Sequence, residues 1–158
     1  MHPRVGKGTN DMAKLLNDKI TRQVQEAFSG LKESVEVLLF SQEKGCETCQ
    51  DTRQLVEEVV GLSDKLSMAE FDLEKDTAIA SQYKVDKAPV MVIAGRDDDR
   101  IIDFGIRMAG IPAGHDFSVL IQDLILVSSR DSGLSPMTRQ FLKILDKPVH
   151  LQVFVTPT

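Results

Sequence analysis

Both cysteines of the chain lie in one decapeptide, EKGCETCQDT, as Cys46 and Cys49. Two thiols this close can cycle between dithiol and disulfide, supply half of a metal site, or sit inert in an apolar interior. The surrounding residues narrow the choice. The apolar run VEVLLF (residues 35–40) reads as a central strand, with Glu36 its one charged member. After a short polar loop, CETCQDTRQLVEEVVG reads as a helix with Leu55, Val56, Val59 and Val60 facing inward and Gly61 closing it. A Cys-x-x-Cys pair between a strand and a helix is placed for redox chemistry. With Cys46 at the helix N-terminus, its sulfur faces unpaired N–H groups and the positive end of the helix dipole. Both favour thiolate, the nucleophilic form, and thiols in such sites have pKa values of about 3.5–7.5 against about 8.5 when free. Cys49, one turn further in and more shielded, can attack a mixed disulfide formed at Cys46. Lys44 favours the thiolate, whereas Glu43, Glu47 and Asp51 oppose it.

The other readings find less support. A structural zinc site takes four ligands. The chain has no further cysteine, and His2, His115 and His150 lie far from the pair without ligand spacing, so no metal and no cofactor is expected. Two incidental buried thiols remain open, but a loop-to-helix junction after a strand is a specific place for them. Asp97, Asp98 and Asp99 read as a solvated turn, because calcium loops space their ligands and add a bidentate Glu. His115 reads as part of a helix cap, residues 110–114 as a structural loop, and the scattered methionines as packing.

The elements that must hold the cysteines follow from hydrophobic spacing. Residues 10–29 carry Met12, Leu15, Leu16, Ile20, Val24, Ala27 and Phe28 at helical intervals, ended by Gly30. LSMAEFD (residues 66–72) reads as a strand, EKDTAIASQYK as a short helix, VMVIA (residues 90–94) as an apolar strand, and IIDF (residues 101–104) as its hairpin partner across GRDDDR. A helix follows GIPAGHD, with Phe117, Leu120, Ile121, Leu124 and Val127 on one face. LSPMTRQFLKIL starts with Ser135 as N-cap and Pro136 in the first turn. VHLQVFV (residues 149–155) alternates as a strand. Strands alternating with helices imply a partly parallel sheet, and the hairpin adds an antiparallel strand. Pro89 stands before an apolar strand, as a residue without a ladder N–H should.

Composition bounds the partners. The 158 residues are 42% hydrophobic and 27% charged, with a net charge of −5. That is ordinary for a globular protein, and it disfavours nucleic acid and anionic membranes. The N-terminal residues lack the apolar core of a secretory signal, and no apolar run approaches a membrane span of about 20 residues. A cytoplasmic location is expected, where thiols are mostly kept reduced.

CETC after a central strand, with APV opening the next-but-one strand, resembles the thioredoxin superfamily. FDLEKD, YKVDKAPV, FGIRMAGIPAGHDF, LSPMTRQ and DKPVHLQVFVTPT sharpen this. They resemble the N-terminal half of the glutaredoxin-like protein disulfide oxidoreductases, which hold two thioredoxin-fold units in tandem. The resemblance runs from about Asn10 onward. It implies an α/β thioredoxin-like fold, a central mixed sheet flanked by helices, with an extra N-terminal helix and a C-terminal helix plus strand. It implies a thioredoxin-like domain over residues 10–132, with 133–158 the linker helix and first strand of a second unit.

Carried over, Cys46 is the attacking thiol and Cys49 the resolving thiol. Pro89 is the cis-proline facing them, and the Ala88 backbone is available to pair with an extended substrate. Two positions depart from the family: Glu47-Thr48 stands where glutaredoxin-like sites commonly carry Pro-Tyr, and Phe40 stands where thioredoxins carry a buried, proton-relaying Asp.

Three functions compete: a thiol–disulfide oxidoreductase acting on protein disulfides or dithiols; an electron-relay or docking module serving a thioredoxin-reductase-like flavoprotein or a second redox unit; and a noncatalytic adaptor, against which the two cysteines argue. The alternating strand at residues 149–155 is expected to dock on its own sheet or, preferentially, to form a homodimer with a second copy.

Overall fold

The computed structural model describes residues 14–154. Its elements are α1 (Asp18–Phe28), β1 (Val35–Ser41), α2 (Cys49–Val60), β2 (Leu66–Asp72), α3 (Thr77–Gln82), β3 (Val90–Asp97), β4 (Arg100–Ala109), α4 (His115–Ser129) and α5 (Pro136–Lys143). They form a four-stranded sheet in the order β2-β1-β3-β4. β1 runs parallel to β2 and antiparallel to β3, and β4 is antiparallel to β3. A parallel neighbour requires a crossover, which α2 supplies.

β1 is buried on both faces because it is apolar on both. Val35, Val37 and Leu39 meet Val24 and Phe28 of α1, Leu55, Val56 and Val59 of α2, and Leu120 and Leu124 of α4. Leu38 and Phe40 point the other way, toward Ala80, Tyr83, Val85, Val90 and Val92. Three helices thus cover one face and α3 the other, and each fully buried Leu, Val or Phe contributes about 1.5–3 kcal/mol. Glu36 is buried at the far end of β1, where its carboxylate accepts from Ser67 Oγ at 2.9 Å and Arg96 Nη1 at 2.8 Å. Pairing and hydrogen bonding make a buried charge tolerable.

Two clamps tie the end of α4 to the segment before β1 and to β3. Buried Ser128 Oγ accepts from the N–H groups of Lys32 and Glu33 and donates to the Glu33 carbonyl. The Arg130 guanidinium bonds the carbonyls of Val127, Ser34 and Arg96. It crosses so close to Gly95 that a Cβ there would lie 2.7 Å from it, so a larger residue would push the guanidinium aside.

The structure differs from the sequence reading at several boundaries. α1 begins at Asp18, because Asn17 accepts from Ile20 N and starts the helix there. Leu15 and Leu16 precede it, and the expected start at Asn10, with Met12, lies outside the described residues. Gly114, not His115, is the N-cap of α4. β4 extends well beyond residues 101–104 because it pairs with β3 along its length. The expected strand over residues 149–155 is not formed across 149–154, where Val149, Leu151, Val153 and Phe154 are 64%, 85%, 85% and 88% exposed. The tail does not dock on its own sheet, and a strand without a neighbouring edge has no ladder to join; Val155 lies outside the described residues. α5 does form, with Ser135 as N-cap and Pro136 as its first residue, but it buries no residue.

Glu58 ties the segment before α1 to α2. Its carboxylate accepts from Leu15 N at 2.9 Å, Leu16 N at 2.9 Å and Gln54 Nε2 at 3.0 Å. Partial burial opposes the charge, but the hydrogen bonds from Leu15, Leu16 and Gln54 and the Lys14 charge outweigh it and lower the pKa. A carboxylate with a depressed folded-state pKa adds stability above its unfolded pKa, and that stability is lost as pH falls through the folded one. Chemical denaturation of Glu58→Gln at neutral pH is therefore expected to show a loss of about 1 kcal/mol, discounted for exposure. Across the acid range the variant should lose less stability than wild type; parallel curves would refute the role.

Candidate functional site

The ends of β1, β2 and β3 nearest the cysteines coincide because of strand direction. Phe40 lies opposite both Phe71 of β2 and Val90 of β3. The loop leaving β1, the turn leaving β2 and the segment entering β3 therefore meet at one end of the sheet. Phe40 is fully buried there, stacked on Phe71 with ring centroids 5.5 Å apart and tilted against Tyr83 at 6.2 Å.

Cys46 and Cys49 are joined as a disulfide, with Cα atoms 5.5 Å apart. Cys46 is half-buried and Cys49 is buried at 6% exposure. The sequence reading started the helix at Cys46, but α2 starts at Cys49, with Glu47 and Thr48 in a turn before it. Gly45 has a φ of +76°, a left-handed conformation that redirects the chain into that turn. Cys46 thus sits just ahead of the helix end, and Cys49 occupies its first position. Thr52, one turn below Cys49, is completely buried and its Oγ1 donates to the Thr48 carbonyl at 2.7 Å. The sequence reading missed Thr52, although its spacing from Cys49, Val56 and Val59 puts it on the inward face.

The loop before Cys46 is tied to the turn after β2. Leu73 N donates to the Ser41 carbonyl at 2.8 Å, Gln42 Nε2 to Glu74 Oε1 at 2.8 Å, and Lys75 Nζ to Glu43 Oε1 at 2.6 Å. The turn is itself braced by Asp72, which accepts from the N–H groups of Glu74 and Lys75. This tether changes the charge balance read from the sequence. Glu43 does not stand as a free anion beside Cys46, because Lys75 offsets it, and the hydrogen bond to Glu43 is the main cause that raises the Lys75 pKa. Lys44, Glu47 and Asp51 are exposed.

The Ala88–Pro89 peptide is cis. Pro89 is buried and Ala88 half-buried. The Pro89 carbonyl accepts from Gly110 N at 2.9 Å, and Gly110 holds a φ of +89° as the chain turns out of β4. The loop of residues 110–114, read as structural, thus buttresses the proline. Ala88 precedes the first paired residue of β3 and enters no turn or loop hydrogen bond among the described residues. The Asp98–Asp99 turn joins β3 to β4 at the opposite end of β3 from Pro89. Among the described residues no cluster of three or more His, Cys, Asp or Glu could hold a metal ion, and no helix is long and apolar enough to cross a membrane.

No protein-family model matches the chain, and no curated protein matches it. Solved structures do. The chain is similar to a protein disulfide oxidoreductase from Aeropyrum pernix, with a TM-score of 0.71 and 28% identity over 82% of this chain and 55% of that one. It is also similar to the NTD_N/C domain of the alkylhydroperoxide reductase AhpF from Enterococcus faecalis, with a TM-score of 0.70 and 21% identity over 79% of this chain and 58% of that one. AhpF from the same organism in its C503A form gives 0.73 and 22% identity over 84% of this chain and 62% of that one. The chain thus spans between 55% and 62% of the length of these three. The chain has the thioredoxin fold.

Removing Lys75 should restore a free anion beside the cysteines. Lys75→Ala is expected to raise the pH at which the reduced chain becomes alkylable by iodoacetamide, with the effect shrinking at high salt. An unchanged alkylation profile would show that Glu43 does not act on Cys46.

Proposed function

We propose that the chain is a thiol–disulfide oxidoreductase that exchanges its Cys46–Cys49 disulfide with protein disulfides or dithiols. The observation that carries this is the pairing of a half-buried Cys46 ahead of a helix with a buried Cys49 in its first turn. The 28% identity to a protein disulfide oxidoreductase supports it.

In the reducing direction, the Cys46 thiolate attacks one sulfur of a substrate disulfide. The substrate S–S bond breaks, a Cys46–substrate disulfide forms, and the departing thiolate takes a proton from water. The Cys49 thiol loses its proton and attacks Cys46 Sγ. The mixed disulfide breaks, the second substrate thiol leaves, and the Cys46–Cys49 disulfide remains. Two electrons have passed to the substrate, and an external dithiol or a thioredoxin-reductase-like flavoprotein must return them. The reverse sequence oxidises a dithiol. Half-exposure of Cys46 lets a substrate sulfur approach in line, whereas Cys49 is shielded and reaches only a sulfur already attached to its neighbour. Ala88, ahead of the ladder of β3, offers backbone groups to an extended substrate, and buried Pro89 forms the wall beside them.

A second reading is an electron-relay module serving a flavoprotein reductase. The fold it shares with a domain of an alkylhydroperoxide reductase favours this. It uses the same two cysteines and differs in partner: a relay exchanges rapidly with one reductase and slowly with generic protein disulfides.

The exposed apolar residues of α5 and the tail, among them Met137, Phe141, Ile144, Leu151 and Phe154, support docking of residues 133–158 on a second copy or a second redox unit. Sedimentation at micromolar concentration, with and without residues 148–158, tests the homodimer: a monomer in both forms rules it out.

The roles of the cysteines are tested by trapping. Cys49→Ser should accumulate a stable mixed disulfide between Cys46 and an oxidised protein, visible by mass spectrometry, and Cys46→Ser should neither exchange nor trap. Equal trapping by the two variants would overturn the assignment.

A further inference from the structure

The segment that delivers Ala88 and Pro89 is held by a residue on the far strand. Between Tyr83 and Pro89, Lys84, Asp86 and Lys87 are exposed, and only Val85 is buried in the core. Its exit is fixed by the bond from Gly110 N to the Pro89 carbonyl. Its entry is fixed by Arg107 of β4, whose Nε and Nη2 donate to the Tyr83 carbonyl at 3.1 and 3.0 Å. The same guanidinium donates to Asp103 through Nη1 at 2.9 Å and Nη2 at 2.8 Å. Its carbon lies 5.8 Å from the centre of the Tyr83 ring, which in turn packs on Phe40, the last apolar residue before the cysteine loop. Lys84 has a φ of +56°, and the turn out of α3 closes on itself through Lys84 N to the Ser81 carbonyl at 3.1 Å and Val85 N to the Ala80 carbonyl at 2.9 Å, so the Arg107 fork adds a side-chain anchor to a backbone turn.

We propose that Arg107 is a positioning residue for protein substrates. Its planar fork, anchored on Asp103, holds the Tyr83 carbonyl and so sets where the Ala88 backbone meets an extended chain. Arginine suits this because one rigid group serves a carbonyl and a carboxylate at once, which the single ammonium of lysine cannot do. The arginine does not touch the disulfide, so the clamp governs binding of an extended substrate and leaves sulfur chemistry unaltered. A small disulfide, which needs no backbone pairing, is indifferent to it. This inference rests on the oxidoreductase reading.

The test compares wild type, Arg107→Ala and Arg107→Lys in the full chain, with dithiothreitol as electron donor. Insulin serves as the protein disulfide under that donor, and dithiobis(nitrobenzoate) as the small one in single-turnover mixing with the chain reduced beforehand and freed of dithiothreitol. Arg107→Ala should raise KM for insulin about tenfold, equivalent to about 1.4 kcal/mol. Its kcat, its rate with the small disulfide and its redox equilibrium with glutathione should match wild type. Arg107→Lys, which keeps the charge and should preserve the fold, should keep KM raised, and it decides the matter if Arg107→Ala does not fold. A wild-type KM in the lysine variant, or an equal fall with both disulfides in a folded variant, would overturn the clamp. A wild type inert toward both disulfides would remove the oxidoreductase reading itself, and the clamp with it.

Discussion

The architecture depends on β1 having no free side. Both of its edges are paired, one parallel and one antiparallel, and both of its faces are covered. A strand in that position can carry almost nothing but apolar residues, and VEVLLF meets the demand apart from Glu36, which Ser67 and Arg96 satisfy. Because its neighbours are fixed in register, its C-terminal end also fixes the ends of β2 and β3. The cysteine loop, the bracing turn of Asp72–Lys75 and the cis-proline segment meet for that reason, not through attraction between the functional residues.

Much of this was legible in the sequence. Runs of apolar residues identified β1, β2, β3 and the helix faces, since burial on one or two faces leaves a direct periodic mark. The cysteine pair was legible from its place, since a Cys-x-x-Cys between an apolar strand and a helix puts Cys49 one turn further in than Cys46. The resemblance supplied the cis-proline, which no spacing reveals. Helix starts were read less well. Asn17 and the turn at Glu47–Thr48 begin α1 and α2 later than hydrophobic spacing suggested, because a cap depends on local backbone geometry that periodicity does not encode.

The contacts that hold the site were not legible. Lys75 and Glu43 lie far apart in sequence, as do Arg107 and Tyr83, and polar pairs of this kind leave no pattern until the sheet brings them together. Arg107 in particular looks like any charged residue of an exposed strand. The tail failed in the opposite sense. Residues 149–154 alternate as a strand should, yet alternation expresses only a capacity to pair, and no sheet edge reaches them. Their exposed apolar side chains, like those of α5, are the part of the chain whose pattern its own fold does not explain.

The central claim is that the Cys46–Cys49 bond is a working redox couple rather than a structural staple. The direct measurement is the reduction potential of the chain in glutathione buffers, read by mass spectrometry after acid quenching and alkylation. A half-exposed Cys46 ahead of a helix should give reversible two-electron exchange with a potential between about −120 and about −270 mV, the range of disulfide oxidoreductases. A potential below about −300 mV, where structural disulfides lie, would contradict the account.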